Sequence, residues 1–190
     1  MKNKFEYRPA QKMTGWGHHF DSMTEVKFAI SIMEEYAFIR SPVSMYFNPG
    51  NCRLAHFPRL FHHRYTPDFL IRHLQTRKAM LVEIKPRAFQ GNPQLEQHEI
   101  VATNYIRSMK FDWIYKVVFD DEIILSEDQL AHFEECLSLK DETKRHSWYE
   151  HYFKQMSALP PHLMEKSNAH IDFIMRGWIS HQPNLFNLNT

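Results

Sequence analysis

Tyr65-Thr66-Pro67-Asp68-Phe69-Leu70-Ile71-Arg72-His73-Leu74, then Gln75-Thr76-Arg77-Lys78, then Ala79-Met80-Leu81-Val82-Glu83-Ile84-Lys85-Pro86 is the stretch that decides the fold. Two apolar-rich runs, 66–74 and 79–85, flank four polar residues, which predicts an antiparallel hairpin. Side chains alternate along a strand, so Leu81, Glu83 and Lys85 share one face. Met80, Val82 and Ile84 share the other, the expected core face. Asp68 stands near the start of the first strand and Glu83 near the end of the second. In a hairpin those ends meet, so both carboxylates can reach one cation.

Asp68 and Glu83 are the only acidic residues between Tyr36 and Leu95. Nine basic side chains surround them in sequence: Arg40, Arg53, Arg59, Arg64, Arg72, Arg77, Lys78, Lys85 and Arg87. Two close carboxylates repel unless one keeps a proton or a cation joins them. Mg²⁺ or Mn²⁺ is the expected cofactor, since such ions bind through one or two carboxylates and retain several waters. Asp68 and Glu83 are the expected metal ligands, with the backbone carbonyl of Ile84 as a further oxygen. Lys85 lies two residues beyond Glu83 on the same face, roughly 6–7 Å away. It is placed to hold an attacking water or to neutralise charge building at phosphorus. The chemistry expected is hydrolysis of a phosphodiester. Arg59, His62, His63 and Arg64 precede the site and are the candidate nucleic-acid contacts.

Working outward, Met23, Val26, Ile30, Met33 and Ala37 recur at three- and four-residue spacing and predict a helix over 22–38, ended by Ser41-Pro42. Ser22 and Glu25 have capping-box spacing at its start. Residues 42–64, with Pro42, Pro49-Gly50 and Pro58, suggest short strands and loops. Asn92-Pro93 opens a helix whose apolar stripe is Leu95, Ala102, Ile106 and Met109, with Tyr105 alongside. Gln94 and Gln97 in its first turns are weaker candidates to face the site. Trp113–Phe119 reads as a third strand and Ile123–Leu125 as a short fourth. Ser126 then caps a helix bearing Leu130, Phe133 and Leu137. The order helix, strand, strand, helix, strand, helix predicts an α/β fold, a mixed β-sheet flanked by helices. Three segments follow: an N-terminal arm over 1–21, a core domain over 22–139, and a helical C-terminal extension over 140–190. In the extension, Trp148, Tyr152, Phe153 and Met156 form one apolar cluster. Pro160-Pro161 breaks it, and Ile171, Ile174, Met175 and Trp178 form another.

Pro67-Asp68, a gap of fourteen residues, and Glu83-Ile84-Lys85 resemble the motif of the PD-(D/E)XK nuclease superfamily. Glu25, Tyr65-Thr66-Pro67-Asp68-Phe69 and Val82-Glu83-Ile84-Lys85-Pro86 are most similar to the N-terminal domain of TnsA-type transposon endonucleases, across about residues 22–125. The resemblance implies a restriction-endonuclease-like fold. It implies a Mg²⁺-dependent DNA endonuclease in which Asp68 and Glu83 bind metal, Lys85 is catalytic, and Glu25 is an additional active-site acid. It also implies a setting in transposition or mobile-element DNA processing, beside a transposase or second nuclease. Cutting both strands needs two sites, so a homodimer would serve as well. The short C-terminal segment carries no clear helix-turn-helix, unlike TnsA-type proteins.

Net charge is only +1, so affinity for a polyanion must come from how the charge is distributed. Residues 120–150 carry ten acidic and three basic side chains, opposing the basic 36–95 segment with an acidic face. The histidine pairs His18-His19 and His62-His63 lack a zinc-binding motif. Cys52 and Cys136 are expected as reduced thiols. No apolar run approaches the roughly 20 residues of a membrane helix, and Met1-Lys2-Asn3-Lys4-Phe5-Glu6 lacks the apolar core of a secretory signal. The expectation is a cytoplasmic protein. Two other readings stay open: a catalytically silent nucleic-acid-binding or scaffolding protein of the same fold, and an interaction module that docks through the acidic face.

Overall fold

The computed structural model describes residues 20–55 and 59–155. Most of the N-terminal arm, and Met156 with the later tail clusters, lie outside the described residues. Ser22 caps helix α1 (Met23–Ile32), its hydroxyl accepting the Glu25 amide at 3.3 Å. The helix does not run to residue 38 as its apolar spacing predicts. It stops at Ile32, and Tyr36–Arg40 forms strand β1. The reason is tertiary: Tyr36-Ala37-Phe38-Ile39-Arg40 suits a strand, and β4 (Phe69–His73) offers a five-residue antiparallel partner, from Tyr36↔His73 to Arg40↔Phe69.

The hairpin forms as the pattern predicts. Strand β4 pairs antiparallel with β5 (Ala79–Lys85), with Phe69 opposite Val82 and Arg72 opposite Ala79. The polar turn closes through His73, whose Nδ1 accepts the amides of Gln75 and Thr76 at 3.1 Å. Arg77 takes the left-handed conformation (φ 61°) that a tight reversal requires. Helix α2 (Pro93–Ser108) begins as expected, with Asn92 capping the Gln94 amide at 2.8 Å. It crosses over to β6 (Trp113–Phe119), which pairs parallel with β5 along its whole length. The sheet order is therefore β1-β4-β5-β6. A small antiparallel sheet of β2 (Met45–Phe47) and β3 (His63–Tyr65) lies apart from it. This is a mixed α/β architecture, with four α-helices among the described residues.

As an inner strand, β5 is covered on both faces, where the sequence alternation pointed to one core face. Val82 and Ile84 join Val26, Phe28, Ala29 and Ile30 of α1. Leu81 packs with Val101, Ala102 and Tyr105 of α2 and with Met45, Phe47 and Tyr65 of the small sheet. The face bearing Glu83 and Lys85 thus looks into a second core, and Glu83 is only 3% exposed.

Beyond β6, Asp120–Glu122 forms a single 3₁₀ turn, and Ile123–Leu125 is not a strand. The turn is held by Arg87, which bonds Asp121 at 2.9 Å and Glu122 at 2.7 Å, so this part of the acidic segment is already paired. Ser126 and Gln129 cap α3 (Glu127–Ser138) reciprocally. Its expected apolar stripe is only partly used: Phe133 packs on the core, but Leu130 and Leu137 are exposed. Helix α4 (Glu142–Gln155) places Tyr149, Tyr152 and Phe153 in the α1-side cluster, where Phe20 meets Tyr149 edge-on at 5.1 Å. Cys52 and Cys136 are free, buried thiols in different clusters. Among the described residues no helix is long and apolar enough to cross a membrane.

Candidate active site

Asp68 sits where β4 begins, and the backbone fixes it twice. Its carbonyl accepts Arg40 Nη1 at 2.7 Å and the Ser41 amide at 2.9 Å. Its carboxylate Oδ2 accepts the Ile84 amide of β5 at 2.7 Å, one residue beyond Glu83. Pairing of Phe69 with Val82 therefore extends into a side-chain clasp that brings Asp68 beside Glu83.

Lys85 closes the pair. Its Nζ lies 2.6 Å from Glu83 Oε1, 3.2 Å from the Ile84 carbonyl and 3.8 Å from Asp68 Oδ2. These are the oxygens that the sequence marks as a cation's ligands, and here they surround an ammonium. Three hard oxygen groups, two of them anionic, suit Mg²⁺ or Mn²⁺. Among the described residues, no three His, Cys, Asp or Glu side chains converge to hold a metal. The groups that could hold such an ion are thus two carboxylates and a carbonyl.

The electrostatics differ sharply between the two acids. Burial pushes the Asp68 carboxyl up to about 7, reinforced by the Glu83 charge and opposed by Lys85 and the Ile84 amide. Burial acts to raise Glu83 too. Its neighbours His98, Lys85 and Tyr65 outweigh that and hold it below the usual carboxylate range. At 3.8 Å, His98 Nδ1 is an electrostatic neighbour of Glu83 Oε1 and not a hydrogen-bond partner. Burial lowers the Lys85 ammonium, but Glu83 and Asp68 more than compensate and raise it. The resting state is an ionised Glu83–Lys85 pair beside a carboxyl poised near neutrality.

Glu25 approaches from α1. Its carboxylate accepts the Asp21 amide at 2.9 Å and pairs with Arg40 at 2.5 Å. Arg40 also holds the Asp68 carbonyl, so it bridges Glu25 to the site. Glu25 is 6% exposed, and burial raises its pKa against the pull of Arg40. The capping box is half formed: Ser22 caps the Glu25 amide, while the Glu25 carboxylate accepts the amide of Asp21, one residue before the cap. The expected nucleic-acid contacts Arg59, His62, His63 and Arg64 lie on the turn and strand that lead into Tyr65, with Arg59, His63 and Arg64 exposed.

Three further residues belong to this site. The Tyr65 hydroxyl donates to Glu83 Oε2 at 2.9 Å and lies 3.2 Å from the Tyr115 hydroxyl of β6. Burial and the Glu83 charge raise the pKa of both tyrosines, so they stay neutral donors. The His98 imidazole of α2 stacks on Tyr65 at 4.0 Å, and its Nδ1 is buried without a hydrogen-bond partner. Sequence reading looked to Gln94 and Gln97 on that helix. In the structure Gln94 is exposed and Gln97 donates to the Pro49 carbonyl, while the next residue, His98, faces Glu83. Tyr65 is signalled by its place beside Pro67-Asp68, but nothing in the local sequence marks His98 or Tyr115. No family model matches the chain, and no curated protein is similar enough to it to count as a match.

Proposed function

We propose that the chain is a metal-dependent DNA endonuclease of the PD-(D/E)XK kind, hydrolysing phosphodiester bonds with Mg²⁺ or Mn²⁺. One observation carries the reading: Asp68, Glu83 and the Ile84 carbonyl converge on one cationic group at the meeting ends of β4 and β5. The antiparallel hairpin followed by a helical crossover to a parallel strand supports a restriction-endonuclease-like core. A TnsA-like role in transposition, alongside a transposase, a second nuclease or a second copy of the chain, is part of the same reading.

A bound divalent cation would supply Lewis acidity toward the phosphate and the attacking water. The protein's own residues do the rest. Asp68 and Glu83 would hold the cation, and Tyr65 fixes Glu83 Oε2 while Oε1 faces Lys85. Lys85, once it leaves Glu83 Oε1, carries its charge to the phosphate as negative charge develops there. Arg40 keeps Asp68 at the strand end and ties Glu25 to it.

The test is cleavage of supercoiled plasmid and branched DNA with Mg²⁺, Mn²⁺ or EDTA, beside Glu83→Ala. Metal-dependent nicking that disappears in the variant is the expected result. Salt-sensitive DNA binding without cleavage on any substrate would replace the enzyme with a silent binding protein.

A further inference from the structure

Among the described residues, the most exposed large apolar side chain lies in the connection between β2 and β3. Leu60 is 108% exposed and Phe61 56% exposed. They do not dangle from an open loop. The His62 amide donates to the Arg59 carbonyl at 2.9 Å, and the Arg59 amide donates to His62 Nδ1 at 3.1 Å. The turn so closed holds both apolar side chains at its tip, with the Phe61 ring edge-on to the His62 ring at 4.3 Å.

The tip also lies between basic side chains, with an arginine on each side. Arg59 precedes it, and His62, His63 and Arg64 follow it. No acidic residue occurs from Ala37 to Pro67. Leu60 lies five positions before Tyr65, whose hydroxyl holds Glu83. Even fully extended, five positions span at most about 18 Å, or about five steps of a nucleic-acid strand. An apolar point between basic side chains, so close to a phosphodiester-cleaving site, matches the way apolar side chains enter a base step while neighbouring cations hold the phosphates. Two side chains are too small a patch to anchor a protein interface.

We propose that Leu60 and Phe61 form a wedge that enters the base stack of duplex DNA beside the cleavage site. The substrate is then a duplex kinked at a soft step such as TA or CA/TG, which opens most easily. The proposal rests on the nuclease reading for its substrate, but it can fail separately.

The experiment uses the full chain in EDTA, which keeps the DNA uncut, and short duplexes with 2-aminopurine placed at successive positions. Fluorescence reports unstacking and anisotropy reports binding. The expected result is a severalfold fluorescence rise confined to one or two adjacent positions, larger at TA than at GC steps. The double variant Leu60→Ser/Phe61→Ser changes only exposed side chains. It should lose the rise yet keep salt-sensitive binding through Arg59 and Arg64. Binding with no rise at any position, or a rise unchanged in the double variant, overturns the wedge. Metal-dependent cleavage without unstacking removes the wedge and leaves the nuclease. Unstacking without cleavage under any metal does the reverse. Pelleting with anionic vesicles that depends on Leu60 and Phe61, and no DNA unstacking, would assign the tip to a lipid surface and overturn the proposal.

Discussion

Lys85 occupies the place of the cation it is proposed to work beside, and that makes its removal informative. Lys85→Ala should lower cleavage by about 100-fold or more, the usual consequence of losing a group that meets transition-state charge. The same variant should bind Mn²⁺ more tightly in calorimetry, because no ammonium competes for Glu83 Oε1 at 2.6 Å. Weaker Mn²⁺ binding would mean that Lys85 organises the carboxylates instead of competing with the ion. Asp68 gives a pH signature without metal. Its carboxyl, raised to about 7, keeps its proton in the folded state where the unfolded chain has lost it. Stability must therefore fall as pH rises from about 4 through about 7. Asp68→Asn retains an oxygen for the Ile84 amide and removes that dependence. In EDTA its melting point should exceed the wild type by a few °C near pH 8, at roughly 2–4 °C per kcal/mol, and the gap should close near pH 4. A variant that melts below the wild type near pH 8 would show that the site welcomes the Asp68 charge.

At the scale of elements, α2 is both the crossover between β5 and β6 and the carrier of His98. Its start depends on Asn92, whose side chain caps the Gln94 amide, with Pro93 in the first turn. Asn92→Ala should cost about 1 kcal/mol in urea unfolding. His98 stands in the second turn of this helix, stacked on Tyr65, so fraying should also loosen the hold on Glu83. An unchanged urea midpoint would show that tertiary packing alone sets the helix start. The α1–β1 boundary teaches the complementary lesson. Apolar residues at three- and four-residue spacing from Met23 to Ala37 satisfy a helix, yet Tyr36–Arg40 satisfies a strand as well. The ladder with β4 decides between them, and local spacing cannot register a partner thirty residues away.

For the whole molecule, the division at residue 139 has a direct test. Tyr149, Tyr152 and Phe153 of α4 are 5–7% exposed and share a cluster with α1 and β5. Burying each such side chain is worth about 1.5–3 kcal/mol, and three together rival the roughly 5–15 kcal/mol of a typical domain. A chain ending at Leu139 should therefore lose cooperative unfolding and bind apolar dyes. A sharp, unshifted melting transition would show that the core domain stands alone.

The hairpin, the crossover helix with its Asn92-Pro93 start, and strand β6 were legible in the sequence, because each is written in short-range terms: alternation, a polar turn, a cap. So was the meeting of Asp68 with Glu83, since antiparallel pairing alone brings strand ends together. What only the tertiary structure decided depends on distant partners. These are the conversion of Tyr36–Arg40 to a strand, the burial of Glu83 against α2 and the small sheet, and the loss of the expected Ile123–Leu125 strand. Arg40, Tyr115 and His98 likewise reach the site from separate elements, and no spacing along the chain reveals that they converge.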